Sequence, residues 1–242
     1  AVPTAAGGAL AVGSNNWVIG GKRTASGKPL LANDMHLGLQ MPSIWHEIGL
    51  HGEDESGRVG RTPACPFDLR GFSFPGVPFV IAGHNDRIAW GHTNQGGDVQ
   101  DLYIERLNPE NPDQYEVNGR WVDMEIRHEV IEVRKEEPVR LRVRSTRHGP
   151  VLSDRKSWEG MAPYAVAEGR SFPESASFTA LALRWTALEP STLVQAVYHL
   201  DQAGNFQEFR DALSKWDVAH QNVVYADVDG NIGYQATGRL PV

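Results

Sequence analysis

The residues that could do chemistry begin near one end of the chain. Gly13 and Ser14 open the run Gly-Ser-Asn-Asn-Trp, just ahead of a strand-like segment. The Gly13–Ser14 bond is either a plain turn before that strand or a place where the chain cuts itself. A cut would give Ser14 a free α-amine, whose unperturbed pKa is about 7.7–8.0. That amine is partly neutral at working pH and sits one Cα from the hydroxyl. One residue then supplies nucleophile and base, with no histidine needed. There is no G-x-S-x-G elbow, so a serine of the α/β-hydrolase kind is not expected. Asp98 and Asp101, in the run GGDVQDLY, offer hard oxygen atoms that suit calcium, or they belong to a solvated loop or cap. His36, His46 and His51 lie close in sequence, and HEIGLH resembles a zinc motif superficially. The motif needs histidines four residues apart on one helical face. His46 and His51 are five apart and would diverge on a helix by roughly 140°. Cys65 has no partner for an internal disulfide and reads as a small buried residue or a free thiol.

Positioning these groups falls mainly to strands. Residues 15–33 read as a strand pair turning at Ser26-Gly27-Lys28-Pro29. The segment FVIAGHNDRIAWGHTN reads as a second hairpin with Asn85-Asp86 at its turn. Asn118-Gly119 is a type I′ signal, residues 128–147 alternate around a Glu-Glu-Pro turn, and VVYADVDGNIGYQATG turns at Asp229-Gly230. Helices come late. Leu193, Val194, Val197 and Leu200 share one helical face after Pro190. Asn205 with Glu208 forms a capping-box pattern before Phe206, Phe209 and Leu213. Trp17, Trp45 and Trp90 read as core. The outline is α+β, without the strand–helix alternation of a doubly wound fold and without a G-x-G-x-x-G or phosphate loop.

The bulk composition excludes some functions. A chain of 242 residues, 40% hydrophobic and 22% charged, is long enough for a substantial core and is not a disordered composition. A net charge of −7 with dispersed acidic groups argues against a nucleic-acid partner. No apolar run approaches the roughly 20 residues of a membrane span. The leader AVPTAAGGALAVG has small residues like the tail of a signal peptide, but it lacks a basic start and an apolar core, and it reads as a linker.

Four segments in order carry a family resemblance: GSNNWV, LLANDMHLGLQMPSIWHEIGLHG, FPGVPFVIAGHNDRIAWGHTNQGGDVQDLY and NVVYADVDGNIGY. With them the chain resembles the penicillin acylase family of N-terminal nucleophile hydrolases, which includes penicillin, cephalosporin and acyl-homoserine-lactone acylases. The resemblance implies a fragment of a four-layer αββα sandwich. It implies self-cleavage at Gly13–Ser14, with residues 1–13 as the end of a linker or spacer and residues 14–242 as the first part of a β chain. An α chain from the same precursor would be its partner. Carried over position by position, Ser14 is the nucleophile, the Asn94 backbone N–H and the Asn222 side chain form the oxyanion hole, and His36 orients Ser14 and assists self-cleavage. Leu37 and Ala82 fall where penicillin G acylases carry phenylalanines of the acyl pocket. Their smaller, non-aromatic side chains point to a wider pocket and an aliphatic or larger acyl group. A structural calcium at Asp98 and Asp101 is implied, with no organic cofactor, and a periplasmic or secreted location.

Other readings of the same residues stay open. Asn222 could cap a strand, and His36 could be a packing histidine. As whole-protein alternatives, the chain could be a quorum-quenching acyl-homoserine-lactone acylase of this family, a metal-assisted hydrolase using its histidines, or a non-catalytic secreted β-rich module that binds carbohydrate.

Overall fold

The computed structural model describes residues 13–37, 40–62, 65–154 and 179–239. The chain divides into two units: residues up to Gly97 together with those from Pro190 on, and residues Asp98–Glu189.

The first unit is layered. Its central sheet contains β3 (His46–His51), β4 (Asp68–Ser73), β5 (Ala82–His84), β6 (Ile88–Asn94), β14 (Gln221–Asp227) and β15 (Ile232–Ala236). All neighbouring strands are antiparallel, in the order β15-β14-β6-β5-β4-β3. Side chains alternate between the two faces of a strand. On β14, Val223 and Tyr225 are fully buried against the helical layer. That layer is α1 (Leu193–Gln202) and α2 (Phe206–Leu213). Phe206 and Phe209 approach the Tyr225 ring at 5.1 and 4.9 Å, and Leu69, Trp90 and Leu200 complete the core. The Asn205 cap forms as the sequence predicts, with the Glu208 N–H donating to its side chain at 3.0 Å, while the Glu208 carboxylate reaches one residue further back than a capping box does and accepts the Gly204 N–H at 2.7 Å.

On the other face of the sheet lies a separate hairpin, β1 (Ser14–Ile19) paired antiparallel with β2 (Leu30–Met35). Helices, sheet and hairpin therefore stack as three layers.

Among its described residues the second unit is strands with one short 3-10 turn. Two sheets are present among its described residues: β7 (Gln100–Asn108), β8 (Asn111–Val117), β9 (Arg120–Asp123) and β13 (Thr179–Trp185) in the order β13-β7-β8-β9, and β10 (Glu125–Ile131), β11 (Val139–Thr146) and β12 (Gly149–Pro150). Asn118 and Gly119 have φ of 51° and 78°, as a type I′ turn requires. The mixed α+β content agrees with the sequence reading, and each hairpin turn falls where it was expected.

Candidate active site

The candidate site lies where the β1–β2 hairpin crosses β6 and β14. Asparagine is a poor strand former, yet Asn16 and Asn33 sit facing each other within this hairpin. Both are spent on hydrogen bonds to the layer beneath. The Asn33 side chain accepts from the His92 N–H at 2.9 Å and donates to the carbonyls of His92 at 2.8 Å and Asn15 at 3.0 Å. The Asn16 amide donates to the carbonyl of Asn222 at 3.0 Å and, more weakly, to that of Gly91 at 3.4 Å. A Cβ on Gly91 would stand 2.7 Å from the Asn33 Cβ, so the hairpin approaches this closely only over a glycine.

These contacts fix where Ser14 points. Gly20, past the far end of β1, lies beside Ile232, while Asn16 lies over Asn222. β1 therefore runs along β14 in the same sense. Ser14 shares the face of Asn16 and lies about 7 Å further on at roughly 3.3 Å per residue. It projects toward the Gln221 end of β14 and the Asn94 end of β6. The Gly13 carbonyl accepts the His36 backbone N–H at 3.0 Å, and Ser14 pairs with Met35. The Gly13–Ser14 peptide is thus held at the end of a strand ladder. The His36 ring turns outward, with Nε2 3.0 Å from the Asp34 carboxylate, and both side chains are well exposed.

Asn222 pairs with Thr93, and Gln221 with Asn94. The Gln95 N–H donates to the His220 carbonyl at 3.1 Å. Bonded and non-bonded pairs alternate along an antiparallel ladder. Asn94 therefore occupies a non-bonded pair, and its backbone N–H points away from β14. The Asn222 amide nitrogen lies 3.3 Å from both the Thr93 hydroxyl and the Asn94 carbonyl, while its oxygen accepts the Tyr234 hydroxyl at 2.7 Å. His92 is buried beside this region, and burial pushes its pKa down to about 4, so it carries no charge at neutral pH.

Leu37 is partly exposed just past β2, and Ala82 is buried on the sheet face that the hairpin covers. Phe72 is the cross-strand partner of Ala82 and faces the same way. Aromatic surface therefore borders Ala82, although Leu37 and Ala82 are themselves non-aromatic. Asp98 and Asp101 are both exposed in the second unit, Asp101 opposite Arg184. Among the described residues no three His, Cys, Asp or Glu side chains converge on a metal position. Two carboxylates fall short of the six to eight oxygens calcium takes, so these residues alone do not fit it. His46 and His51 stand at opposite ends of β3, and His51 pairs with Asp68 at 2.6 Å. Cys65 is a half-buried free thiol. Trp90 is core, donating to the Ile81 carbonyl at 2.9 Å. Trp17 is not core: it points away from the sheet and is 48% exposed, while Trp45 is partly buried and stacks on Phe74.

Sequence reasoning missed Asn16, Asn33, Gly91, Thr93 and Tyr234. For the two asparagines a signal was present, a polar poor strand former inside each predicted strand.

A family model described as penicillin amidase matches residues 2–242. An acyl-homoserine lactone acylase, QuiP, of Pseudomonas fluorescens (strain Pf0-1) is 34% identical over 229 residues, covering 94% of this chain and 25% of that protein. The penicillin G acylase of Escherichia coli is 35% identical over 228 residues, covering 94% of this chain and 23% of that protein. Among solved structures, the thermostable penicillin G acylase from Alcaligenes faecalis matches with a TM-score of 0.72 at 30% identity, covering 93% of this chain and 35% of that one. The chain spans about a quarter of the length of the curated relatives it matches.

Proposed function

Because the chain belongs to the penicillin amidase family, we propose that its parent protein hydrolyses the amide of an N-acyl substrate through an acyl-enzyme on Ser14. Self-cleavage comes first. The Ser14 hydroxyl attacks the Gly13 carbonyl carbon, the C–N bond breaks as the acyl group shifts from nitrogen to oxygen, and water hydrolyses the ester. This frees the Ser14 amine, which takes the hydroxyl proton during turnover, directly or through a water. The substrate carbonyl is attacked and its oxyanion is held by the Asn94 N–H and the Asn222 amide. The amine leaves with the proton, and water releases the acid. One such preorganised donor is worth roughly 3–4 kcal/mol of barrier.

The observation that supports this reading most is the hairpin register. Ser14 stands two residues from Asn16, and the Asn16 side chain is bonded to the Asn222 carbonyl. The serine and the two oxyanion donors thus belong to one hydrogen-bonded patch. On this reading residues 1–13 end a spacer, residues 14–242 begin a β chain, and an α chain from the same precursor completes the enzyme and the αββα sandwich. His36 assists cleavage through its backbone N–H, which holds the Gly13 carbonyl, because its ring is turned outward to Asp34. A calcium at Asp98 and Asp101 would need oxygen ligands from beyond these two residues, and no step runs through it. No helix among the described residues is long and apolar enough to cross a membrane; a periplasmic or secreted location is carried over from the family.

The similarity to QuiP favours acyl-homoserine lactones as the second substrate class. Leu37 and Ala82 leave room for an aliphatic acyl chain, and Phe72 keeps an aromatic wall beside it. The test is intact-mass analysis with N-terminal sequencing of the full-length gene product and its Ser14→Ala variant, followed by hydrolysis assays on phenylacetyl and hexanoyl amides. A chain beginning Ser-Asn-Asn-Trp, made only when Ser14 is present, is the expected result. A folded, uncut wild type, or equal cutting of both proteins, would overturn the mechanism.

A further inference from the structure

Resting on the acyl-enzyme reading above, we infer that Tyr234 is a positioning residue: its hydroxyl fixes the Asn222 carboxamide with the nitrogen toward the reacting carbonyl. A carboxamide can turn over with little change in shape, exchanging acceptor for donor. Only one of the two orientations stabilises an oxyanion. Three groups surround the Asn222 amide. Asn222 pairs with Ala236 across the β14–β15 ladder, which makes Tyr234 its diagonal neighbour on the same face. The Tyr234 hydroxyl donates to the Asn222 Oδ1 at 2.7 Å. On the nitrogen side stand the Thr93 hydroxyl and the Asn94 carbonyl, each at 3.3 Å. A carbonyl only accepts, so it rejects the flipped orientation. Bonds of 3.3 Å are long for N–H···O, so the two amide hydrogens are loosely engaged and available to a stronger, charged acceptor. The short bond on the oxygen side is the anchor. The backbone of Asn222 is held independently by Asn16, and Tyr234 therefore acts on the side chain alone. Tyr234 is itself 55% exposed on the edge strand and contributes little packing, so its hydroxyl can be removed without opening the core.

The test is a double-mutant cycle in the full-length, self-cleaved protein, using Tyr234→Phe, Asn222→Ala and the pair, with phenylacetyl and hexanoyl para-nitroanilides as substrates. The size expected is that of one intramolecular hydrogen bond, amplified by the charge of the transition state. Tyr234→Phe should lower kcat about ten-fold, leave KM within two-fold, and leave both the mass of the β chain and the melting temperature unchanged. In the Asn222→Ala background, Tyr234→Phe should have no further effect on kcat. An unchanged kcat in Tyr234→Phe, a loss confined to KM, or an equal ten-fold loss with and without the Asn222 side chain would each overturn the inference. A different pattern marks failure of the underlying reading: a cleaved, folded wild type without amidase activity, or an Asn222→Ala variant as active as wild type. In that case Asn222 is not an oxyanion donor, and the role of Tyr234 falls with it.

Discussion

Both units carry surface ion pairs, but among the described residues they differ in how large a core lies beneath them. In the first, Trp90, Tyr225, Phe209, Leu69 and Leu200 are sealed between the central sheet and the two helices. Among the described residues of the second, a smaller core of Leu107, Tyr115, Met124, Val151 and Ala180 is supplemented by ion pairs: exposed ones such as Arg106 to Glu116 at 2.7 Å, and the largely buried Arg144 with Asp154 at 2.5 Å. Fully burying a large apolar side chain contributes about 1.5–3 kcal/mol, whereas an exposed ion pair contributes about 0–1 kcal/mol. The candidate site belongs to the unit with the larger sealed core among the described residues. Its asparagines form hydrogen bonds of definite length on the opposite face of that sheet. A reacting group must be held within about 0.5 Å, and that asks for a stiff layer beneath it. Substitutions on the Asn222 side of this comparison should therefore cost activity or stability, and those on the Arg106 side almost nothing.

The largest effect is expected from Asn222→Ala. On the proposed mechanism this removes one oxyanion donor and should lower kcat by about 10²–10³, with the fold retained, because only a side chain on the hairpin-facing side of β14 is lost. Steady-state kinetics on the self-cleaved enzyme checks this. A loss below ten-fold would move the oxyanion site elsewhere.

Next comes a pH effect from the sealed core. Asp201 on α1 is fully buried and accepts the Val80 N–H at 3.1 Å, and burial pushes its pKa up from 3.8 to about 7. Between pH 4 and 7 the folded chain holds a proton that the unfolded chain has released. The contribution of Asp201 is thus greatest at low pH and is lost as pH rises toward 7. His92 has the opposite sign. Its folded pKa is depressed from 6.5 to about 4, so its contribution is present above pH 6.5 and is lost as pH falls toward 4. Asp201→Asn should therefore be more stable than wild type at pH 8, by a few kcal/mol. Its advantage should shrink steadily toward pH 4, leaving the acid sensitivity of His92 uncovered. Denaturant midpoints of both proteins across this range give the difference directly. A pH-independent difference would mean that Asp201 does not titrate in that window.

How much of this was legible in the sequence differs between the same two regions. The hairpin turns could be read because their determinants are local. Asn118-Gly119 needs positive φ at both positions, and Asn205 with Glu208 caps its own helix. The family segments pointed to Ser14, Asn94 and Asn222, although spacing alone left Asn222 as a possible strand cap. The stacking of the β1–β2 hairpin over β6 was not legible. Gly91 looks like any strand glycine until Asn33, far away in sequence, comes to rest on it. Nor was Trp17 separable from Trp90, because both sit in apolar alternating runs and only the choice of covered face distinguishes them. Phe72 was overlooked because its pairing with Ala82 depends on strand register.

That stacking can be tested through Asn33. Asn33→Ala removes three hydrogen bonds that tie β2 to β6 and β1, and it leaves the His92 N–H without its acceptor. At about 0.5–1.5 kcal/mol for each net bond, the loss should be roughly 2–3 kcal/mol. It should be accompanied by slower self-cleavage, since Ser14 pairs with Met35 only two residues along the same ladder. Denaturant unfolding and a time course of β-chain release measure the two effects. Full stability with normal cleavage would show that Gly91 and Asn16 hold the hairpin without Asn33.

The smallest effect is expected from Arg106→Ala in the second unit. Arg106 reaches the Glu116 carboxylate at 2.7 Å and lies 5.8 Å from the centre of the Trp121 ring, which together look like a stabilising cluster. Its side chain is 71% exposed, however, and water competes for both contacts. An exposed ion pair and an exposed cation–π contact are each worth about 1 kcal/mol or less, and ordering the long side chain offsets part of that. The net loss should therefore stay below about 1 kcal/mol, shrink further in high salt, and leave kcat and self-cleavage untouched. A loss as large as that of Asn33→Ala would erase the contrast between the units. It would mean that the second unit depends on its surface charges as strongly as the first depends on its buried layers.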